Sequence, residues 1–443
     1  MLRRKFIKQS AGLALGIPAI SVATALQHDH TERALDKLTQ LPPLEAATQE
    51  EAWEQIAAMY NPDETFLNLE NGYFSMCSVP VMESFIQKTR SVNSQSSYYM
   101  RRLMQPERLQ IKSELAQLAG VPAEEIALTR NTTESLNILI QGIDLKAGDE
   151  VLLSKQDYGS MQEAFEQKAK RQGVVLKYVQ IPLLPKSAND IVKAYEKSIT
   201  SKTRMMLVTH MINLTGQILP VKELCALGKA KNIEVIVDGA HAFAHLDFTI
   251  SDLGCDYYAA SLHKWLGAPL GTGFLYIKQD KLANIWPLMG DTAKEKTNIE
   301  KLEHTGTTPP ANYFSIKAAI DFNLRIGLKR KEERLRYLKN YWTGKIKTIK
   351  GVSLLTPEGV EQSCGIACFS MENIPANVLS NRLYDEHRIF TVAIETDEVK
   401  GVRVTPHLFT TTEHLDRLVQ AIQVISGIAP LPPAVPATTP KKK

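Results

Sequence analysis

Between about residue 105 and residue 277 the chain alternates helical and strand-like segments, and this alternation restricts the fold more than any other feature. Glu107 to Ala119 places Leu109, Ile111, Leu115 and Leu118 at helical spacing. Ile126-Ala127-Leu128 then reads as a short strand, and Thr133 to Ile140 as a second helix. Glu150-Val151-Leu152-Leu153, Val174 to Val179, Arg204 to Thr209, Glu234 to Val237 and Gly273 to Ile277 are strand-like runs, with helical patterns between most of them. Strands that alternate with helices predict an α/β domain built on a mostly parallel sheet. Ligands of such sheets collect at the carboxyl ends of the strands.

Beyond Gly306 the texture changes. Asn312 to Gly327 and Leu328 to Ile349 read as long helices, Gly365 to Met371 and Gly401 to Val404 as strands, and Thr412 to Ile425 as a helix with a Thr N-cap. That pattern predicts a second, α+β domain, and 443 residues suit two domains better than one core. The expected organisation is a signal peptide over 1–25, an N-terminal arm over 26–65 with a helix near Glu50 to Met59, a large domain over 66–305, a smaller domain over 306–428, and a Pro-, Ala- and Lys-rich disordered tail over 429–443.

The N-terminus is basic, then apolar, then small. Arg3, Arg4, Lys5 and Lys8 precede an apolar run from Ala11 to Ala25, with Ala23-Thr24-Ala25 as a cleavage site. Paired Arg3-Arg4 with Phe6 and Lys8 resembles the twin-arginine export signal, which predicts passage through that export machinery and a periplasmic location. The protein stays cytoplasmic if the signal is not used. The run is shorter than the ~20 residues a membrane span needs, so no stable span is expected after signal removal. Removing these four cations takes the formal charge from +4 to about zero, which leaves no electrostatic footprint for nucleic acid. The five cysteines form no CxxC pair and no metal spacing, and their odd number argues against a complete disulfide framework.

Chemistry concentrates around Asp238 and Lys264. Asp238 ends the apolar run Val235-Ile236-Val237, where it serves either as a helix cap or turn residue or as a carboxylate held against a cation. Lys264 lies in Ser261-Leu262-His263-Lys264-Trp265, followed by the uncharged stretch Leu266 to Gly273. Such surroundings destabilise an ammonium and free the amine as nucleophile and base; the alternative is a surface lysine whose stem lies on Trp265. An imine-forming lysine and an acid opposite a pyridine nitrogen are what a pyridoxal phosphate site needs. Arg130 to Ser135 opens a helix after a strand, where hydroxyls and free N–H groups make either a phosphate cradle or a capping box.

Taken together, Asn131 to Asn137, Asp238-Gly239-Ala240-His241, Ser261 to Trp265, Gly306-Thr307 and Val402 to His407 resemble the class V aminotransferase family of fold-type I pyridoxal phosphate enzymes. The isopenicillin N epimerase-like branch is closest in texture and the cysteine desulfurases are more distant, and the likeness runs from about Phe66 to Ile425. The resemblance implies a pyridoxal phosphate-dependent transferase fold. It implies pyridoxal 5′-phosphate as cofactor, Lys264 as the Schiff-base lysine, Asp238 as partner of the ring nitrogen, and His241 beside the cofactor phenolate. Thr132, Thr133, Ser261 and His263 would surround the phosphate and Tyr158 would stack on the ring. Thr307 would reach the phosphate of a neighbouring subunit, which implies a homodimer with shared active sites. Arg403 would grip a substrate carboxylate, with Asn71 and Gly72 bordering the substrate. The mobile cysteine of the desulfurases has no counterpart in Ile389 to Lys400. The expected activity is aminotransferase or epimerase chemistry at the α-carbon of an amino acid or related amine. A β-eliminating lyase is the alternative, and a non-catalytic pyridoxal phosphate-binding protein is the alternative of another class. No metal is expected.

Overall fold

The computed structural model describes residues 33–291 and 293–427. The expected signal peptide, the first residues of the arm and the tail fall outside them. The strands are β1 (Leu67–Asn68), β2 (Ile126–Thr129), β3 (Glu150–Ser154), β4 (Val175–Val179), β5 (Thr203–Thr209), β6 (Glu234–Asp238), β7 (Tyr257–Ser261), β8 (Gly273–Ile277), β9 (Val352–Leu354), β10 (Ala367–Met371), β11 (Ile389–Phe390), β12 (Val392–Glu395) and β13 (Lys400–Val404).

A seven-stranded sheet in the order β2-β8-β7-β6-β5-β3-β4 organises the larger part, with β8 alone running against its neighbours. Every residue of β2, β3, β7 and β8 is buried, because helices cover both faces and leave no side to water. At the edge, β4 alternates exposed and half-buried residues until Val179. One apolar layer includes Leu152, Val208 and Val237, the other Val151, Leu207 and Ile236, and neighbouring residues of β3, β5 and β6 fall in opposite layers.

The second part is α+β, as expected. β12-β13-β10-β9 form an antiparallel sheet backed by helices α1 (Leu328–Ile346), α2 (Ala376–His387) and α3 (Thr412–Ile425). The helix over Thr412–Ile425 has the expected bounds, and its N-cap is Thr411, whose hydroxyl accepts from the His414 N–H. Asn312 to Gly327 is not one helix. It divides into Pro310–Phe314 and Ile316–Ile326 at Ser315.

Two connections place the N-terminal segment beside this second sheet. β1 pairs in parallel with β11, aligning Leu67 with Ile389, and Thr405 donates its N–H to the Leu69 carbonyl at 2.8 Å. The arm also packs: Trp53, Ile56 and Tyr60 share a cluster with Leu408 and Phe409, and buried Arg334 of α1 pairs with Glu50. Residues 69–73 are thereby held across the top of the large sheet.

Candidate active site

The carboxyl edge of the large sheet gathers the chemistry. Thr209, Asp238 and Ser261 end β5, β6 and β7, and the reversed β8 begins at the same edge with Gly273. A cavity of about 290 Å³ lies there, lined by Thr132, Thr133, Tyr158, Asp238, His241, Ser261, His263 and Lys264. Eight expected site residues, drawn from four separate segments, therefore meet at one cavity. A larger hollow, about 1280 Å³, opens among the amino ends of the strands, where Glu234 and Lys281 already pair with each other at 3.1 Å. The smaller cavity is the candidate because titratable groups converge on it.

Asp238 is 3% exposed, and its Oδ1 accepts one backbone bond, from Ala240 N–H at 3.0 Å. Burial pushes its carboxyl above the usual range, opposed by the Ala240 N–H and by Lys264. Glycine follows because a Cβ at residue 239 would come within 2.0 Å of the Tyr258 ring. The backbone thus passes close against that ring, with no room for a side chain.

Lys264 Nζ sits 3.1 Å from His241 Nε2. Burial lowers its pKa to about 8, with Asp238 and Glu70 opposing and Arg403 assisting. The tautomer of His241 follows from its other nitrogen. Trp265 Nε1–H, a donor only, points at His241 Nδ1 at 3.4 Å, so the imidazole proton belongs on Nε2, which faces the Lys264 amine once that group has lost its proton. Burial holds the His241 pKa well below the ordinary value, in keeping with a neutral ring.

The anion-binding end is built on the helix Thr132–Gly142. Its N-cap is Asn131, which accepts from the Glu134 N–H, so the Thr side chains are not consumed by capping. The Thr132 N–H lies 2.9 Å from Ser261 Oγ, and the two hydroxyls are 2.8 Å apart. His263 donates Nδ1–H to the Thr272 carbonyl at 3.2 Å, which leaves Nε2 unprotonated; burial lowers its pKa to about 4. Hydroxyls and a helix N-terminus suit a phosphate; His263, its one N–H engaged by Thr272, lines the cavity beside them.

Three expected residues stand elsewhere. Asn71 is fully buried but spends its amide on the Thr405 carbonyl at 2.8 Å and on Asn68 at 3.3 Å, so it fastens the loop rather than facing the cavity. Thr307 is exposed and outside the cavity of its own chain. Arg403 is buried and bonded to Glu70 and to the Asn213 carbonyl, rather than open to the cavity.

Sequence reasoning missed Tyr73, Phe74, Thr209 and Asn213, all of which line the cavity. Phe74 stacks on His263 with centroids 6.3 Å apart, and Asn213 Nδ2 lies 3.4 Å from the Tyr73 hydroxyl. Thr209 donates to Asp157 at 2.6 Å, and burial raises that carboxyl to about 7. The position of Thr209 at the end of a central strand was the available signal.

The class-V aminotransferase family model matches residues 79–394. The chain belongs to the class V aminotransferase family. Its cofactor is pyridoxal 5′-phosphate, and the donors fit it: a buried acid, an amine of lowered pKa and an anion cradle within one cavity. Among curated relatives, the isopenicillin N epimerase of Streptomyces clavuligerus is 29% identical over 392 residues, covering 85% of this chain and 98% of that protein. The cysteine desulfurase of Yersinia pseudotuberculosis is 29% identical over 334 residues, covering 69% of this chain and 79% of that protein. Among solved structures, the apo cysteine desulfurase of Thermococcus onnurineus NA1 superposes with a TM-score of 0.74 at 21% identity, covering 82% of this chain and 95% of that one. The α/β architecture is thus that of pyridoxal phosphate-dependent enzymes of this family.

Proposed function

We propose that this enzyme removes and returns the α-proton of an amino acid or related amine, giving epimerisation or transamination, with Lys264 as the proton-carrying base. The contact that carries the reading is the Lys264 amine, its pKa lowered by burial, held 3.1 Å from His241 beside the buried Asp238. Bound pyridoxal phosphate supplies a conjugated ring that spreads the electron pair left at the α-carbon. Asp238 would hold a positive charge at the ring nitrogen, and His241 would offer Nε2–H to the phenolate. Thr132, Thr133 and Ser261 would hold the phosphate, and Lys264 moves the proton. A base with a pKa near 8 is matched to such work at neutral pH.

Likeness to isopenicillin N epimerases over 98% of their length supports the epimerase or aminotransferase reading. So does the state of the thiols: Cys364 and Cys368 are buried and pushed up to about 12, and residues 389–400 hold no cysteine. None of these offers a thiolate for sulfur transfer.

The decisive experiment follows solvent deuterium into the α-position of amino acids by NMR, with product analysis separating the two outcomes. A holoenzyme that exchanges no α-proton of any amino acid or amine overturns the proposal. The apoprotein supplies a pH signature. Only a neutral amine attacks the cofactor aldehyde, so the rate of cofactor capture should rise with pH to a midpoint near 8, where Lys264 loses its proton. Stopped-flow absorbance measures this, and a midpoint at about 10.4, that of ordinary lysine, contradicts it.

We also infer export and a dimer. Arg3-Arg4 and the apolar run after them support twin-arginine export to the periplasm; residues 1–30 fused to a folded reporter should carry it out of the cytoplasm, and retention refutes this. Exposed Phe74 and Leu270 at the cavity mouth, with exposed Thr307, support a partner subunit there. A particle of one chain mass in sedimentation rules the dimer out.

A further inference from the structure

Arg403 stands on β13, its backbone fixed between Cys368 of β10 and Val392 of β12. It is fully buried, and each terminal nitrogen is engaged: Nη2–H donates to Glu70 Oε1 and Nη1–H to the Asn213 carbonyl, both at 2.8 Å. The Glu70 pair is incomplete. Oε1 takes two bonds, from Arg403 and from the Tyr73 N–H at 3.1 Å, while Glu70 Oε2 and Arg403 Nε are buried without partners. A bidentate pair would use both carboxylate oxygens. Tyr73 lies between this pair and the cavity, its ring centre 4.6 Å from the guanidinium carbon and 5.5 Å from Lys264 Nζ.

We propose that Glu70 occupies Arg403 as an internal stand-in for the substrate carboxylate and so determines how strongly the site selects for one. This rests on the proposed action at an amino acid α-carbon. In the ligand-free protein the guanidinium is neutralised from within, and a substrate carboxylate binds by taking the place of Glu70 while Tyr73 turns aside. Gly72 brings the loop close against the pair, since a Cβ there would meet Thr405 at 3.2 Å, Glu70 Oε1 at 3.4 Å and the Arg403 guanidinium at 3.5 Å. Apparent affinity is lowered by the fraction of molecules in which Arg403 is occupied, so weakening the internal pair tightens binding of carboxylates alone. An amine without a carboxylate has no use for Arg403 and is indifferent to Glu70.

The test compares wild-type holoenzyme with Glu70→Gln and, as a second variant that keeps the charge but shortens the reach, Glu70→Asp. Visible-band titration with the protein α-amino acids and with the amines formed by their decarboxylation reads dissociation constants directly. The responsive amino acids should bind about tenfold more tightly to both variants, with amine constants unchanged and the effect in KM rather than kcat. Unchanged or weaker amino acid binding in both variants, or an equal change for amines, overturns the proposal and makes Glu70 an orienting residue for Arg403. If no amino acid or amine perturbs the band of any of the three proteins, the proposed function fails, and this inference with it.

Discussion

Lys264→Ala should abolish exchange of the substrate α-proton, lowering its rate by at least the 10²–10⁴-fold that positioned proton transfer contributes. The amine lines the cavity where His241 Nε2, Asp238 and the hydroxyls of Thr132 and Ser261 converge, and among the described residues no other lysine lines that cavity. Lys331, which burial lowers further, to about 7, donates to the Trp265 carbonyl and to Asn323 and does not line the cavity, so it cannot substitute. Borohydride treatment of the wild-type holoenzyme should attach the cofactor to a peptide containing Lys264, and the variant should show no attachment. The fold should survive, since alanine removes a charge whose burial is costly and leaves space open to the cavity. Exchange at the wild-type rate in a folded Lys264→Ala protein would show that another group is the base.

Six strands of the large sheet were legible because they are short apolar runs, and β6 is found within one residue of its end from Glu234 to Val237 alone; β7, Tyr257–Ser261, went unread. The second sheet was half legible. β10 and β13 are five residues long with four of the five buried in each, whereas β9 and β12 are three and four residues long with mostly half-exposed side chains, too little to distinguish from loop. The helix Val79–Gln95 went unread because only Val81 of its seventeen residues is buried, leaving no apolar stripe to detect. Within the site, Asp238, Ser261 and Lys264 were readable because each sits at or just past a strand end, where local sequence fixes position. Glu70 was not, since its partner Arg403 lies 333 residues away and nothing in Leu69-Glu70-Asn71-Gly72 signals an ion pair. Tyr73 and Asn213 reach the cavity by the same long-range folding, through the β1 and β11 pairing and the turn after β5.

Asp238→Asn should slow α-proton exchange by about 10- to 1000-fold, the range that corresponds to losing one to three units of pKa support for a cation opposite a carboxylate. The Asp238 carboxylate is buried with one backbone donor, and burial raises its pKa, so ionisation there is unfavourable without a positive partner. A protonated ring nitrogen would be such a partner, and the pairing would in turn favour the protonated form of that nitrogen. Asparagine is nearly isosteric and can keep its side-chain oxygen on Ala240 N–H, so the site retains its shape while losing the charge. Two effects should therefore separate. The apoprotein should melt at or above the wild-type temperature, because an unpaired buried carboxylate has been removed, while the rise in melting temperature on adding pyridoxal phosphate should shrink. Calorimetry of both proteins with and without cofactor measures each. Wild-type exchange rates together with an undiminished cofactor-induced rise would mean that the ring nitrogen is held by some group other than Asp238.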